Sequence, residues 1–244
     1  MITAVHNRVD TVGQTLASVR TQTWPAVEHV VVDGGSVDGT LALLEAARQH
    51  LSMMVSEPDG GIYDALNKGF AHARGDVVGL LHSDDFFADG RVLERVAAAF
   101  EDPEVDGVYG DLDYVAKTAP ERVIRRWRSG AYEPLRVAWG WAPPHPTLFL
   151  RRAVFEQWGG YDTRFRIAAD YDAMLRYLGK GGIRLAYIPE VLVKMRMGGT
   201  SNRSVRNVLR KSYEDYLALR SNGVGGVGTL LWKNVQKVPQ FWAS

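Results

Sequence analysis

Two adjacent carboxylates, Asp84 and Asp85, close the stretch Gly75–Asp85. The apolar run before them, Val77–Leu81, reads as a strand buried on both faces of a mostly parallel sheet. Paired carboxylates at such a strand end are poor packing material and good ligands for a hard divalent cation. Taken alone they fit a solvated turn as well, since Asp is common there. Two other apolar runs end the same way. Glu28–Val32 runs into Asp33-Gly34-Gly35-Ser36, and Met53–Ser56 into Glu57-Pro58-Asp59-Gly60-Gly61. Open α/β sheets bind ligands at the carboxyl ends of their strands. The three loops therefore point to one ligand-binding edge, with Asp170, at a helix start far along the chain, able to face it.

The elements that would hold these residues alternate. Met1–Val5 reads as a strand that is short or continues upstream, Thr11–Gln22 as a helix, Glu28–Val32 as a strand, and Asp38–His50 as a helix with Asp38 as N-cap. Met53–Ser56, a helix at Ile62–Arg74 and the strand 77–81 follow. This order implies parallel strands with right-handed crossovers. Later come a helix at Asp89–Phe100, strands at Val105–Val115, Val123–Trp127 and His145–Leu150, and a helix at Arg151–Trp158. A helix at Ile167–Leu178 precedes strands at Ile183–Ile188 and Val191–Met195. Ser129–Pro144 reads as irregular.

Composition narrows the function classes. The chain of 244 residues carries 29 basic and 28 acidic side chains, a net charge of +1, so no global field recruits nucleic acid. It has no cysteine, which excludes disulfides and thiolate chemistry. No apolar run approaches the ~18 residues of a membrane span, and the start lacks a signal-peptide layout. These features suggest a cytoplasmic protein. The first strand is followed by His6-Asn7-Arg8 rather than a Gly-x-Gly-x-x-Gly fingerprint. P-loop and Gly-x-Ser-x-Gly patterns are absent too.

A nucleotide diphosphate at this edge would need a carboxylate for base or ribose, a metal for the leaving charge, a base across the site, and an aromatic or polar acceptor cleft. Asp33, the Asp84–Asp85 pair and Asp170 suit the first three. His145 suits sugar or phosphate binding, or is a structural histidine between Pro144 and Pro146. Trp139 and Trp141 suit a sugar-stacking surface or the core equally.

The motifs together resemble the family 2 glycosyltransferases, which have a GT-A fold. The matching segments are Thr3-Ala4-Val5-His6-Asn7, Val32 through Thr40, Glu57-Pro58-Asp59-Gly60-Gly61-Ile62-Tyr63-Asp64-Ala65-Leu66-Asn67-Lys68-Gly69, and Ala73 through Asp85. Val108-Tyr109-Gly110-Asp111, His145-Pro146-Thr147 and Ala169-Asp170-Tyr171-Asp172 follow in the family's order. The pattern around Glu57–Gly69 is similar to bacterial O-antigen, capsule and exopolysaccharide enzymes. The resemblance implies that Asp33 contacts the nucleotide base, with Thr3, Val5 and Asn7 lining the same pocket and Asp59 and Asn67 nearby. Ser83-Asp84-Asp85 takes the place of the Asp-x-Asp signature. Ser83 stands where its first Asp would be, so Asp85 is the expected ligand of Mn2+ or Mg2+, and Asp84 faces the donor ribose or sugar. Asp170 becomes the catalytic base. The family often carries Arg where Leu66 stands, so Lys68 or Arg74 would have to supply the diphosphate contact. Tyr63 either touches the donor or packs under its loop. Asp111 is an acceptor-side candidate or a strand-end carboxylate.

The function implied is inverting transfer of a hexose, from a UDP-linked or other nucleotide sugar, to a glycan or lipid-linked saccharide. Rival readings are a silent nucleotide-sugar-binding module and a sugar-phosphate nucleotidyltransferase. The expected organisation is a GT-A domain over 1–200, with a donor half at 1–115 and an acceptor half at 116–200, and a C-terminal extension at 201–244. Residues 203–244 carry seven basic and two acidic side chains, with aromatics to Phe241-Trp242. Such a segment fits an interfacial helix on the inner face of the plasma membrane, or a helix packed on the domain. The oligomeric state and the sugar are left open.

Overall fold

A computed structural model describes residues 1–197 and 205–235. Its first half alternates as expected: β1 (Ile2–Val5), α1 (Val12–Arg20), β2 (Val30–Asp33), α2 (Thr40–Ala46), β3 (Met53–Ser56), α3 (Ile62–His72) and β4 (Val77–Gly79). β1, β2 and β3 pair in parallel, with Val5 opposite Asp33 and Asp33 opposite Ser56. Leu80, just past β4, bridges Ile2 in parallel. That bridge joins the three strands to a mixed six-stranded sheet.

The second sheet adds β5 (Phe86–Phe87), β6 (Gly107–Val115), β7 (Val123–Trp127), β8 (Phe149–Arg151) and β9 (Leu185–Arg196), in the order β4-β8-β6-β9-β5 with β7 on β6. The helices here are α4 (Val92–Ala99), α5 (Pro134–Val137), α6 (Arg152–Trp158), α7 (Ala169–Leu175), α8 (Val205–Ser221) and α9 (Val227–Val235). Several expectations need correcting. The strand expected at His145–Leu150 begins as a 3-10 turn, His145–Thr147, and pairs only from Phe149. Pro146 has no N–H to give a ladder. The two strands expected at 183–188 and 191–195 are one, β9, whose register against β6 shifts twice around Pro189-Glu190. A bulge absorbs the proline there. α7 starts at Ala169 and passes into a π turn at Arg176–Lys180. Gly39, not Asp38, stands at the N-cap of α2. The end of the tail, with Phe241 and Trp242, lies outside the described residues.

Alternation along β1 and β2 sends side chains to two layers. Ile2, Ala4, Val30 and Val32 join Ala65 and Leu66 of α3. Val5 and Val31 join Val12, Leu16 and Leu44 of α1 and α2. Each fully buried Leu contributes roughly 2 kcal/mol. Gly69 lets α3 lie close on β1, since a Cβ there would stand 2.4 Å from Ile2.

His29 is buried under this layer, with its Nε2 3.0 Å from the Thr3 hydroxyl. Burial, helped by the nearby amino terminus, lowers its pKa to about 3. The unfolded chain protonates this histidine near its ordinary value, so stability is lost as pH falls below that value toward the folded one. From this group alone, urea titrations at pH 7 and 5 should differ by about 2 kcal/mol. His29→Gln should shrink the difference; an unchanged difference would contradict the assignment.

Candidate active site

The parallel register brings Val5, Asp33 and Ser56 abreast at the strand ends. Asp33 is fully buried and accepts from the Ser36 N–H (3.0 Å), the Ser36 hydroxyl (2.5 Å) and the Ser56 hydroxyl (2.7 Å). Its carboxylate is thus oriented by neutral donors from the loop after β2 and from the end of β3. Asn7 holds a left-handed φ of 51°. Its N–H donates to Ser36 Oγ, and its Oδ1 accepts from Val37. Asp59 accepts from the Gly61 N–H at 2.8 Å and lies against Gly34. A Cβ on Gly34 would meet Asp59 Oδ2 at 2.3 Å. Gly34→Ala should therefore displace Asp59 and weaken nucleotide binding by about tenfold, at a cost near 1–3 kcal/mol typical of overpacking. Calorimetry with UDP would check this, and unchanged affinity would separate Asp59 from the nucleotide. Thr3 and Val5 belong to β1. Their side chains are buried, Thr3 on His29 and Val5 among α1 and α2 residues, so they can offer only backbone at the edge.

The loop His82–Asp85 is pinned from α1's side. Thr11 donates to the Ser83 carbonyl (2.9 Å) and Thr15 to the Asp85 carbonyl (2.7 Å). Ser83 itself is buried. Asp84 keeps some solvent exposure and lies 3.9 Å from the Arg8 guanidinium. Asp85 is buried; its Oδ1 accepts from the Arg196 N–H at 3.2 Å, and its Oδ2 has no hydrogen-bond partner. Burial, then Asp84, pushes the Asp85 carboxyl well above the usual carboxylate range, with Arg196 pulling the other way. An orphaned buried carboxylate oxygen is costly, and a cation would satisfy it. Among the described residues no group of three or more His, Cys, Asp or Glu gathers that could hold a metal. Mg2+-type sites commonly use one or two carboxylates, with substrate phosphates completing the shell. The Asp84–Asp85 pair fits that arrangement.

Arg196 and Arg8 were not assigned from sequence. Arg196 is buried at the end of β9, where it bonds the Asp84 carbonyl and Gln14 and lies 4.9 Å over the Phe86 ring. Nothing local marks it: its partners are 112 and 182 residues away.

Asp170 sits in the first turn of α7 and is half-buried. Its Oδ1 accepts from the Tyr63 hydroxyl at 3.2 Å and from the Tyr171 N–H at 2.8 Å. The Tyr63 hydroxyl lies 2.7 Å from the Ile167 carbonyl as well. Burial, with Asp170 nearby, raises the Tyr63 pKa well above its usual value, which keeps its proton in place for these contacts. A cavity of about 10 Å3, room for roughly one water, touches Asp170, His145 and Tyr161. His145 Nε2 is 2.7 Å from the Tyr161 hydroxyl, and its ring lies 5.8 Å from that of His82. Burial lowers the His145 pKa to about 4, so the ring is neutral at pH 7. Tyr161 was not assigned from sequence either.

Other candidates are committed to internal contacts. Both ends of the Asn67 amide bond the Tyr161 backbone, at 2.8 and 2.9 Å, tying α3 to the turn before α7. Lys68 pairs with Glu57 (2.7 Å) and Asp64 (3.5 Å). Asp111 is buried and accepts from Ser129 N–H (2.8 Å) and Tyr187 Oη (2.7 Å), with Arg128 at 3.4 Å. Trp141 is core rather than a sugar surface. It is 7% exposed and packs on Tyr109 and Tyr132. Trp139 is 59% exposed, with Trp232 of α9 beside it.

The chain is 35% identical over 185 residues to the uncharacterized glycosyltransferase Rv1514c of Mycobacterium tuberculosis, covering 72% of this chain and 67% of that protein. It is 32% identical over 195 residues to a PGL/p-HBAD biosynthesis glycosyltransferase of Mycobacterium bovis, covering 78% and 73%. Among solved structures, Staphylococcus aureus TarS 1–349 in complex with UDP-GlcNAc superposes with a TM-score of 0.69 at 19% identity, over 91% of this chain and 64% of that one. The Pyrobaculum calidifontis mannosyltransferase PcManGT, in complex with GDP-Man and Mn2+, gives 0.67 at 19% identity, over 99% and 70%. The chain spans 38% of another TarS chain it matches. The fold is thus that of the GT-A glycosyltransferases. A sequence model described as Glycosyl transferase family 2 matches residues 1–159, and the chain belongs to that family.

Proposed function

We propose that this glycosyltransferase moves a hexose, with inversion, from a nucleotide sugar to a hydroxyl of a glycan or lipid-linked saccharide in surface polysaccharide or glycolipid assembly. One observation carries the reading: the parallel register sets Val5, Asp33 and Ser56 abreast, with Asp59 against Gly34 and Asp84 3.9 Å from Arg8, and Asp170, bonded to Tyr63 of α3, is the base candidate. Asp170 would take the proton of the acceptor hydroxyl as its oxygen bonds the anomeric carbon. The bond from that carbon to the diphosphate oxygen breaks in the same displacement, which inverts the configuration. Tyr63 orients the carboxylate, and Tyr161 with neutral His145 shapes its surroundings. Asp33 and Asp59 hold the nucleoside, with backbone from β1. Asp84 and Asp85 would hold Mn2+ or Mg2+, which supplies positive charge to the leaving diphosphate. The family name and the complexes of TarS and PcManGT support a nucleotide-sugar donor, and a UDP-linked one is the first choice.

A thermal-shift panel of UDP- and GDP-sugars, with and without manganese, tests this. One donor should stabilise the protein only with the metal. Stabilisation indifferent to metal would count against Asp85 as a ligand. A silent binding module would bind a donor and never turn it over, and a nucleotidyltransferase would release pyrophosphate.

The working location we propose is the inner membrane face. Among the described residues no helix is long and apolar enough to cross a membrane. Exposed Leu135 and Trp139 lie on or just after α5, and exposed Val227, Leu231, Trp232 and Val235 on α9; the Trp139 and Trp232 rings are 6.2 Å apart. Together with the basic tail this suits an anionic lipid surface. Co-sedimentation with vesicles containing phosphatidylglycerol should fall on changing Trp139 and Trp232 to Ala; equal sedimentation would contradict it.

A further inference from the structure

The segment before Asp170 is held by a residue from the far end of the chain. The N–H groups of Arg166, Ile167 and Ala168 all donate to one oxygen, Oε2 of Glu214 on α8, at 3.1, 2.8 and 3.1 Å. Successive N–H groups that converge in this way form a concavity suited to an anion. Here the chain fills it with its own carboxylate, 7% exposed and 46 to 48 residues downstream. The same segment is gripped from the other side by the Tyr63 hydroxyl, at the Ile167 carbonyl and at Asp170 itself.

We propose that Glu214 is a positioning residue for Asp170: it fixes the backbone that sets where the base meets the acceptor hydroxyl. The proposal rests on the reading of Asp170 as the base. These N–H groups, at and just before the N-cap of α7, need a partner where the segment is buried, and an unfilled set would draw water and relax. A base displaced by about an ångström can cost on the order of a hundredfold in rate. Other contacts hold α8 to α7 independently. Asn222, just past α8, donates to Asp172 of α7 at 2.8 Å, and Ala218 and Leu219 of α8 share a buried core with Ala169, Tyr171 and Ala173 of α7. Loss of Glu214 should therefore leave the helices docked. The C-terminal helices thus contribute to the chemistry as well as to the surface.

The test compares Glu214→Ala, Glu214→Gln, Asp170→Asn and the Ala–Asn double variant in the full chain. Release of nucleoside diphosphate from the UDP- and GDP-sugar panel reads turnover, and calorimetry with UDP and manganese reads the donor site. Glu214→Ala should lower kcat by about 10- to 100-fold with donor KM and UDP affinity unchanged. Glu214→Gln, which keeps an acceptor oxygen in place, should recover most of the rate. The double variant should be no slower than Asp170→Asn, because residues acting as a unit are non-additive. Wild-type kcat in folded Glu214→Ala, beside a crippled Asp170→Asn, overturns the positioning role alone. Loss of UDP affinity in step with kcat, or full additivity, overturns it also. Full turnover by Asp170→Asn overturns the base reading and the positioning role together. Should Glu214→Ala not fold, Glu214→Asp shortens the reach by one carbon. Reduced kcat at constant KM then supports the role, and unchanged kcat overturns it.

Discussion

Asp170→Asn is expected to lower glycosyl transfer by about 10^3-fold, within the range general base catalysis supplies, and to leave donor binding intact. The substitution keeps the shape of the side chain and an oxygen for the Tyr63 hydroxyl and the Tyr171 N–H. It removes the capacity to take a proton. The donor contacts proposed above come from other elements: β1 to β3, their loops, and the loop His82–Asp85. The loss should therefore appear in kcat and not in UDP affinity. Tyr63→Phe should show a smaller fall in the same direction, since it removes one orienting contact and keeps the base. Equal turnover by Asp170→Asn would show that another group takes the proton, with His145, lining the same cavity, the next to test.

Asp85→Asn is expected to separate stability from activity. Asp85 is buried, its Oδ2 has no hydrogen-bond partner, and its pKa is raised. Burying that charge without a cation costs more than the roughly 1–3 kcal/mol of an unpartnered neutral group. The neutral amide should raise the melting temperature of the metal-free protein by a few degrees. The same change should abolish the thermal shift on adding manganese and cut transfer by at least about 100-fold. Differential scanning fluorimetry with and without manganese, beside a transfer assay, reads both. A destabilised metal-free variant would mean that Asp85 is already satisfied internally. A retained manganese shift would move the ligand role to Asp84.

The parallel strands and their polar ends were legible because their signals are local. A short apolar run followed by Asp and Gly reads as strand and loop whatever the rest of the chain does, and β1, β2 and β3 formed where such runs stand. Their common edge followed from the parallel order. The contacts that tune the site were not legible, because they join distant segments. Arg196 reaches Asp85 across 111 residues, and Glu214 reaches Ile167 across 47. Neither carries a local pattern. Residues quoted in motifs also proved to be used twice over. Asn67 lies in a recognisable segment, yet it crosslinks α3 to the Tyr161 turn. Trp139 and Trp141 are two residues apart in a stretch without periodicity, so only packing could decide that Trp141 is core and Trp139 exposed. β9 looked like two strands because Pro189 breaks the pattern, while the bulge lets pairing resume beyond it.

Transfer of a sugar away from a nucleoside diphosphate is the reaction to be tested. The most direct measurement is to incubate the protein with manganese, each nucleotide sugar of the panel and a lipid-linked saccharide acceptor, and to quantify the nucleotide product by chromatography. The expected result is nucleoside diphosphate released in step with glycosylated acceptor, from one donor, and nearly absent with Asp170→Asn. Pyrophosphate formed from a nucleoside triphosphate and sugar phosphate, or donor binding with no turnover under any of these conditions, would contradict it.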